Sequence, residues 1–149
     1  MSRPLSLLLL LALLAFPASA LEQFRFRVLE QKPQSRDAFV QGLEIVDGKL
    51  YVSSGGYGVS TLQRFDFASG ALEIERELDP RLFAEGVTVL GDRVYQLTWR
   101  ARLLLIYSKD ELTGVARMRI PGEGWGITND GDQLIYSDGS HQLYFLDPV

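Results

Sequence analysis

Few side chains in this sequence could carry covalent or acid–base chemistry. It holds no cysteine and one histidine, His141, which excludes a thiol nucleophile, a disulfide scaffold, Cys-based zinc or iron–sulfur sites and any two-histidine metal site or relay. Ser53, Ser54 and Ser137 lack a Gly-x-Ser-x-Gly setting and an identifiable base. Three other side chains stand out by position. Gln41, Glu85 and Trp125 each immediately precede a glycine, and those glycines, Gly42, Gly86 and Gly126, are 44 and 40 residues apart. An amide, a carboxylate and an indole at equivalent places are not what packing alone would choose, because a purely structural repeat would favour similar residue types there. A carboxylate can move protons, and an indole offers a flat apolar wall.

The elements that position these residues follow from the same repeat. Gly42-Leu43-Glu44-Ile45-Val46-Asp47-Gly48-Lys49-Leu50-Tyr51 stacks without gaps over the ten residues from Gly86 to Tyr95 and the ten from Gly126 to Ile135. Each unit continues into a second apolar run (Leu62 to Phe67, Leu103 to Tyr107, Leu143 to Leu146). The first two units close on Ser69-Gly70 and Thr113-Gly114. Short β-rich runs separated by Asp-Gly, Gly-Asp, Ser-Gly and Thr-Gly pairs read as strands and turns. A strand-only period of about 40–45 residues is the signature of a β-propeller blade, since one four-stranded blade cannot bury both its faces alone. A β-sandwich with similar hairpins would not explain three matching glycines. The expectation is therefore an all-β propeller with blade-like units at about 38–70, 82–114 and 122–149. The residue before each inner strand should face a common channel mouth.

Residues 1–20 read as a signal peptide: Arg3, an apolar run from Leu7 to Phe16, then Pro17 and the small-x-small site Ala18-Ser19-Ala20. The run is shorter than the ~20 apolar residues a membrane span needs. The remaining residues, 21–149, would be exported, to a periplasm or out of the cell. With 15 basic and 19 acidic residues and a net charge of −4, the chain lacks the cationic face that nucleic acid or an anionic membrane demands. Asp130, Asp132, Asp138 and Asp110-Glu111 fall mostly in turns, where Asp serves backbone hydrogen bonds, so no metal site is expected. His141, after the Asp-Gly-Ser turn of the third unit, reads as a surface or hairpin residue. Asp79 to Phe83 could form only a turn of helix. In the arm from Leu21 to Asp37, Phe24, Phe26 and Val28 alternate with Arg25 and Arg27, which predicts a strand that pairs into the propeller.

Four ordered motifs extend this reading. Phe39-Val40-Gln41-Gly42-Leu43, Phe83-Ala84-Glu85-Gly86-Val87-Thr88, Tyr95-Gln96-Leu97-Thr98-Trp99 and Gly122-Glu123-Gly124-Trp125-Gly126-Ile127-Thr128, followed by Tyr136-Ser137-Asp138-Gly139-Ser140, closely resemble the plant and bacterial type of glutamine cyclotransferase, from about Phe39 to Pro148. Gly55-Gly56-Tyr57-Gly58 resembles that family's Gly-rich segment. The resemblance implies a five-bladed propeller that turns the N-terminal glutamine of peptides or proteins into pyroglutamate, with release of ammonia and without a cofactor. It implies Glu85 as the catalytic glutamate, Trp99 and Trp125 as two aromatic walls of the substrate pocket, and Phe39 and Gln41 in its floor. Burial beside two indoles should raise the pKa of Glu85, and the Gln41 amide is the candidate donor to the reacting carbonyl.

The sequence departs from that family in length. Three units fill it, whereas the family closes five and about four is the practical minimum for a ring. The family's later blades carry an asparagine, a lysine and another tryptophan of the pocket, with no counterpart here, and the lysine would be the natural cation for a developing oxyanion. A partial record of a longer product, inactive alone, or a decayed remnant is therefore expected, with sheet edges exposed at both ends. The alternative function is a non-catalytic exported propeller that binds peptides or proteins through the same channel.

Overall fold

The computed structural model describes residues 23–148. The leader-like residues 1–20 lie outside them. The segment up to Gln31 is a unit of its own. Its described residues, 23–31, form no strand, and Phe24, Phe26 and Val28 are exposed. The strand expected there is thus not found. Alternation makes a two-faced strand only where a neighbour takes its ladder hydrogen bonds.

Residues 32–148 form eleven strands and, among the described residues, no helix. Strands β1 (Val40–Val46), β2 (Lys49–Ser54), β3 (Thr61–Asp66) and β4 (Leu72–Glu77) make one antiparallel sheet in sequential order. A second has the same order: β5 (Ala84–Leu90), β6 (Arg93–Thr98), β7 (Leu103–Ser108) and β8 (Gly114–Arg119). The third contains β9 (Ile127–Asn129), β10 (Leu134–Ser137) and β11 (Leu143–Leu146). These are three propeller blades that do not close into a ring. The first hairpin turns at Asp47-Gly48, with φ of 51° and 72°, the backbone that a tight two-residue hairpin requires.

Two apolar layers hold the blades together. Tyr51 and Leu62 of the first sheet meet Val87, Val89, Val94 and Tyr107 of the second. Tyr95, Leu97, Leu104 and Ile106 of the second meet Leu134 and Tyr136 of the third. Successive residues of β6 and β7 thus serve opposite layers, which is why Leu103 to Tyr107 reads as an unbroken apolar run: the central blade is buried on both faces. Fully buried Gln96 bridges the first layer. Its amide donates to Ser53 Oγ at 2.8 Å and to the Thr61 carbonyl at 3.2 Å, and it accepts from the Tyr107 hydroxyl at 3.0 Å. The terminal strands of the first and third sheets, β4 and β11, are edge strands, and sheet faces are open as well: Leu43, Ile45 and Leu72 on the first sheet, and Leu143 and Phe145 on the third, stay exposed. Among the described residues no fourth sheet packs on these faces.

The repeat glycines set the spacing of the inner strands. A Cβ at Gly42 would stand 2.6 Å from the Val87 nitrogen, and one at Gly86 would stand 2.7 Å from the Ile127 nitrogen. Each inner strand therefore touches the next, backbone to backbone. Gly86→Ala should cost about 1–3 kcal/mol by overpacking, measured by urea unfolding. Gly114→Ala, which meets nothing within 4 Å, serves as the control and should be close to neutral; equal losses at both sites would refute this account of the spacing.

Candidate active site

Sequential antiparallel pairing brings the starts of β1, β5 and β9 and the ends of β2, β6 and β10 to one rim. Gln41, Glu85, Trp99 and Trp125 all lie on it. Gln41 and Glu85 also share a local irregularity. The β1–β2 register shifts between Val40 and Gly42, and the β5–β6 register shifts between Ala84 and Val87. Each is a bulge, which breaks the alternation of side chains and re-aims the one at the extra residue.

Glu85 is partly buried, and among the described residues no hydrogen-bond donor reaches its carboxylate. Burial, and secondarily repulsion from the Glu123 carboxylate, push its pKa up from 4.5 to about 7. The family resemblance implies a buried Glu85, and the carboxylate is partly buried; the second carboxylate is a finding of the structure.

Aromatic rings run along the rim. Phe83 packs edge-on against Phe39, Tyr57 and Trp99, with centroids 6.3, 5.4 and 5.6 Å away. The Gly-rich segment supplies Tyr57 and buried Gly55, whose nitrogen donates to the Phe39 carbonyl at 2.9 Å. The Trp99 nitrogen makes the equivalent bond to the Phe83 carbonyl at 3.0 Å. Trp125 is half exposed, and its indole lies over Gly139, where a Cβ would meet the ring at 3.0 Å. The Gln41 amide has no partner among the described residues.

Sequence reasoning assigned no part to Phe83, Tyr57 or Glu123. Phe83 was detectable, standing 44 residues after Phe39, the offset that relates Gly42 to Gly86. Glu123 carries the weaker signal of a carboxylate between two glycines. The turn carboxylates form no metal cluster; among the described residues no group of three metal-ligating side chains occurs. Asp130 accepts from the Asp132 and Gln133 nitrogens, and Asp138 from the Ser140 nitrogen.

The sequence model of the glutamine cyclotransferase family matches residues 4–149. The chain belongs to the glutamine cyclotransferase family. Over 123 residues it is 36% identical to the glutaminyl-peptide cyclotransferase of Arabidopsis thaliana, covering 81% of this chain and 38% of that protein. Among solved structures, the glutaminyl cyclase of Myxococcus xanthus superposes with a TM-score of 0.73 at 33% identity, over 82% of this chain and 51% of that one. The Cps50 (Swd1) β-propeller domain of Myceliophteria thermophila gives a TM-score of 0.57 at 8% identity, over 76% of this chain and 36% of that domain, a likeness of fold alone. This member of the cyclotransferase family thus spans about half or less of the relatives it matches.

The raised Glu85 pKa fixes a sign. Because the folded value of about 7 lies above the ordinary 4.5, protonation favours the folded state. The contribution is complete below about pH 4.5 and is lost as pH rises through about 7. The wild-type melting temperature should therefore fall relative to that of Glu85→Gln between about pH 5 and about pH 8. Parallel melting curves across that range would exclude a raised pKa.

Proposed function

We propose that this chain carries the proton-transfer and aromatic part of a glutaminyl-peptide cyclotransferase site, acting on peptides or proteins with N-terminal glutamine. The observation that carries the reading is Glu85, a carboxyl with no hydrogen-bond donor among the described residues and a pKa of about 7, on the rim that also bears Trp99 and Trp125. Family membership and the likeness to two proteins named for this activity support it.

In the reaction, the substrate's α-amino nitrogen bonds to its own γ-amide carbon, forming a tetrahedral intermediate. The C–N bond to the amide nitrogen then breaks and ammonia departs. An α-amine has a pKa of about 8, so a base near 7 can accept its proton with little thermodynamic penalty. Glu85 takes the proton from the attacking nitrogen and returns it to the leaving one, ending as it began. Trp99 and Trp125 fold the glutamine side chain over its amine and exclude water, which supplies much of the acceleration for an intramolecular step. Phe39 lines the floor with Phe83, and the Gln41 amide donates to the γ-carbonyl oxygen. None of these steps uses a metal or cofactor. The leader-like residues 1–20 support export, with the enzyme meeting its peptides in the periplasm or outside the cell.

Ammonia release from a Gln-initiated peptide tests this, using the chain as it stands and extended by the remaining repeats of its relatives. In the active form, kcat/KM should rise with pH through about 7 as Glu85 ionises, and Glu85→Gln should lower kcat by about 10²–10⁴. An inert extended protein that still binds the peptide would instead identify a non-catalytic binding propeller. An unchanged rate in Glu85→Gln would overturn the mechanism.

A further inference from the structure

One oxygen at the rim does two things. Glu123 Oε2 accepts from the Trp99 indole N–H at 2.6 Å and from the Trp125 indole N–H at 3.3 Å. Trp99 and Trp125 are the only two tryptophans in the sequence, and they come from different blades. The backbone that delivers Glu123 is fixed on both sides. Gly124 donates to the Thr98 and Trp99 carbonyls at 3.2 and 3.3 Å, and a Cβ there would stand 2.6 Å from the Thr98 oxygen. On the other side, a Cβ at Gly122, whose φ is +69°, would meet the Asp138 carboxylate at 2.5 Å. A carboxylate only accepts, so it can serve two N–H donors at once without presenting a competing donor.

We propose that Glu123 is the positioning residue of this site: its carboxylate holds the Trp99 and Trp125 indoles as a matched pair and keeps a negative charge beside Glu85. The inference deepens the cyclotransferase reading and rests on it for its catalytic meaning. Among the described residues, the charged groups placed near Glu123 are Glu85, Arg100 and, beside the neighbouring Gly122, Asp138. Glu85 faces it from β5. The Arg100 guanidinium stacks 4.1 Å over the Trp99 ring and approaches Glu123 Oε1 at 4.0 Å, mostly in solvent. Asp138 is engaged by the Ser140 nitrogen and the Tyr144 hydroxyl. Charge repulsion from Glu123 favours a protonated Glu85, and Arg100 is too exposed to cancel it.

Two variants separate the two roles. Glu123→Gln keeps the shape and an acceptor oxygen but removes the charge; Glu123→Ala removes both. Both are read on the resting protein, by tryptophan emission with acrylamide quenching and by ¹³C NMR titration of the Glu85 carboxyl. Glu123→Ala should shift the emission to the red and raise quenching, while Glu123→Gln retains the wild-type emission. In both, the Glu85 midpoint should fall by about one pH unit. Wild-type emission and quenching in Glu123→Ala would overturn the proposal, as would a Glu85 midpoint that stays near 7 in the isosteric Glu123→Gln. Neither measurement depends on turnover. Failure of the cyclotransferase reading shows instead as absent ammonia release with both signatures intact.

Discussion

The contact on which the rest of this structure depends is the touching of consecutive inner strands at their glycines. Gly42 abuts the backbone of Gly86 and Val87, and Gly86 abuts Trp125, Gly126 and Ile127. The Gly86 nitrogen also donates across this contact to the Trp125 carbonyl at 2.8 Å. With the strands this close, the residues before the glycines have no room to lie between blades. They are delivered together to the rim. Packing at Gly86 is therefore what brings a carboxylate from one blade and an indole from the next into one site.

The bulges solve a second problem. In unbroken alternation Glu85 would share a face with Val87 and Val89, which belong to the apolar layer between the first two blades. An ionisable group there would meet the full cost of leaving water, several kcal/mol without a partner. The register shift between Ala84 and Val87 takes Glu85 out of that layer while the strand beyond it keeps its pattern. It leaves the side chain in an intermediate setting, dry enough to raise its pKa and open enough to exchange protons. Gln41 occupies the corresponding place in β1, where the shift falls between Val40 and Gly42.

Much of this was legible in the sequence because it is repeated. Period-two alternation, turn pairs and three glycines at matching offsets are local signals, and they carry the blades and the placing of Gln41, Glu85 and Trp125 just before the inner strands. What was not legible depends on geometry across blades. The bulges leave only a weak signal, the glycine inside each strand run, and that glycine marks a close backbone approach as readily as a bulge. The meeting of Trp99 and Trp125 on Glu123 joins residues 24 and 2 positions apart, and no periodicity relates them. The arm misled for the complementary reason: Phe24, Phe26 and Val28 have the pattern of a strand, but a pattern does not supply the neighbouring strand that its ladder requires.

The distribution of hydrogen-bond donors separates the site carboxylate from the structural ones. Asp66 is held down to about 2 by the Ser69 nitrogen and hydroxyl and by Lys49. Asp130 and Asp138 are lowered by donors of their own turns. Each of these acids is kept ionised by the element it helps to form, so its charge is committed to folding and is poorly suited to taking protons. Glu85 has the opposite setting: no donor among the described residues, partial burial and a neighbouring carboxylate. The same side-chain chemistry thus yields a turn anchor where donors surround it and a group near neutrality where they are withheld. The fold places the second condition on the rim, at the end of the blade that is packed on both faces.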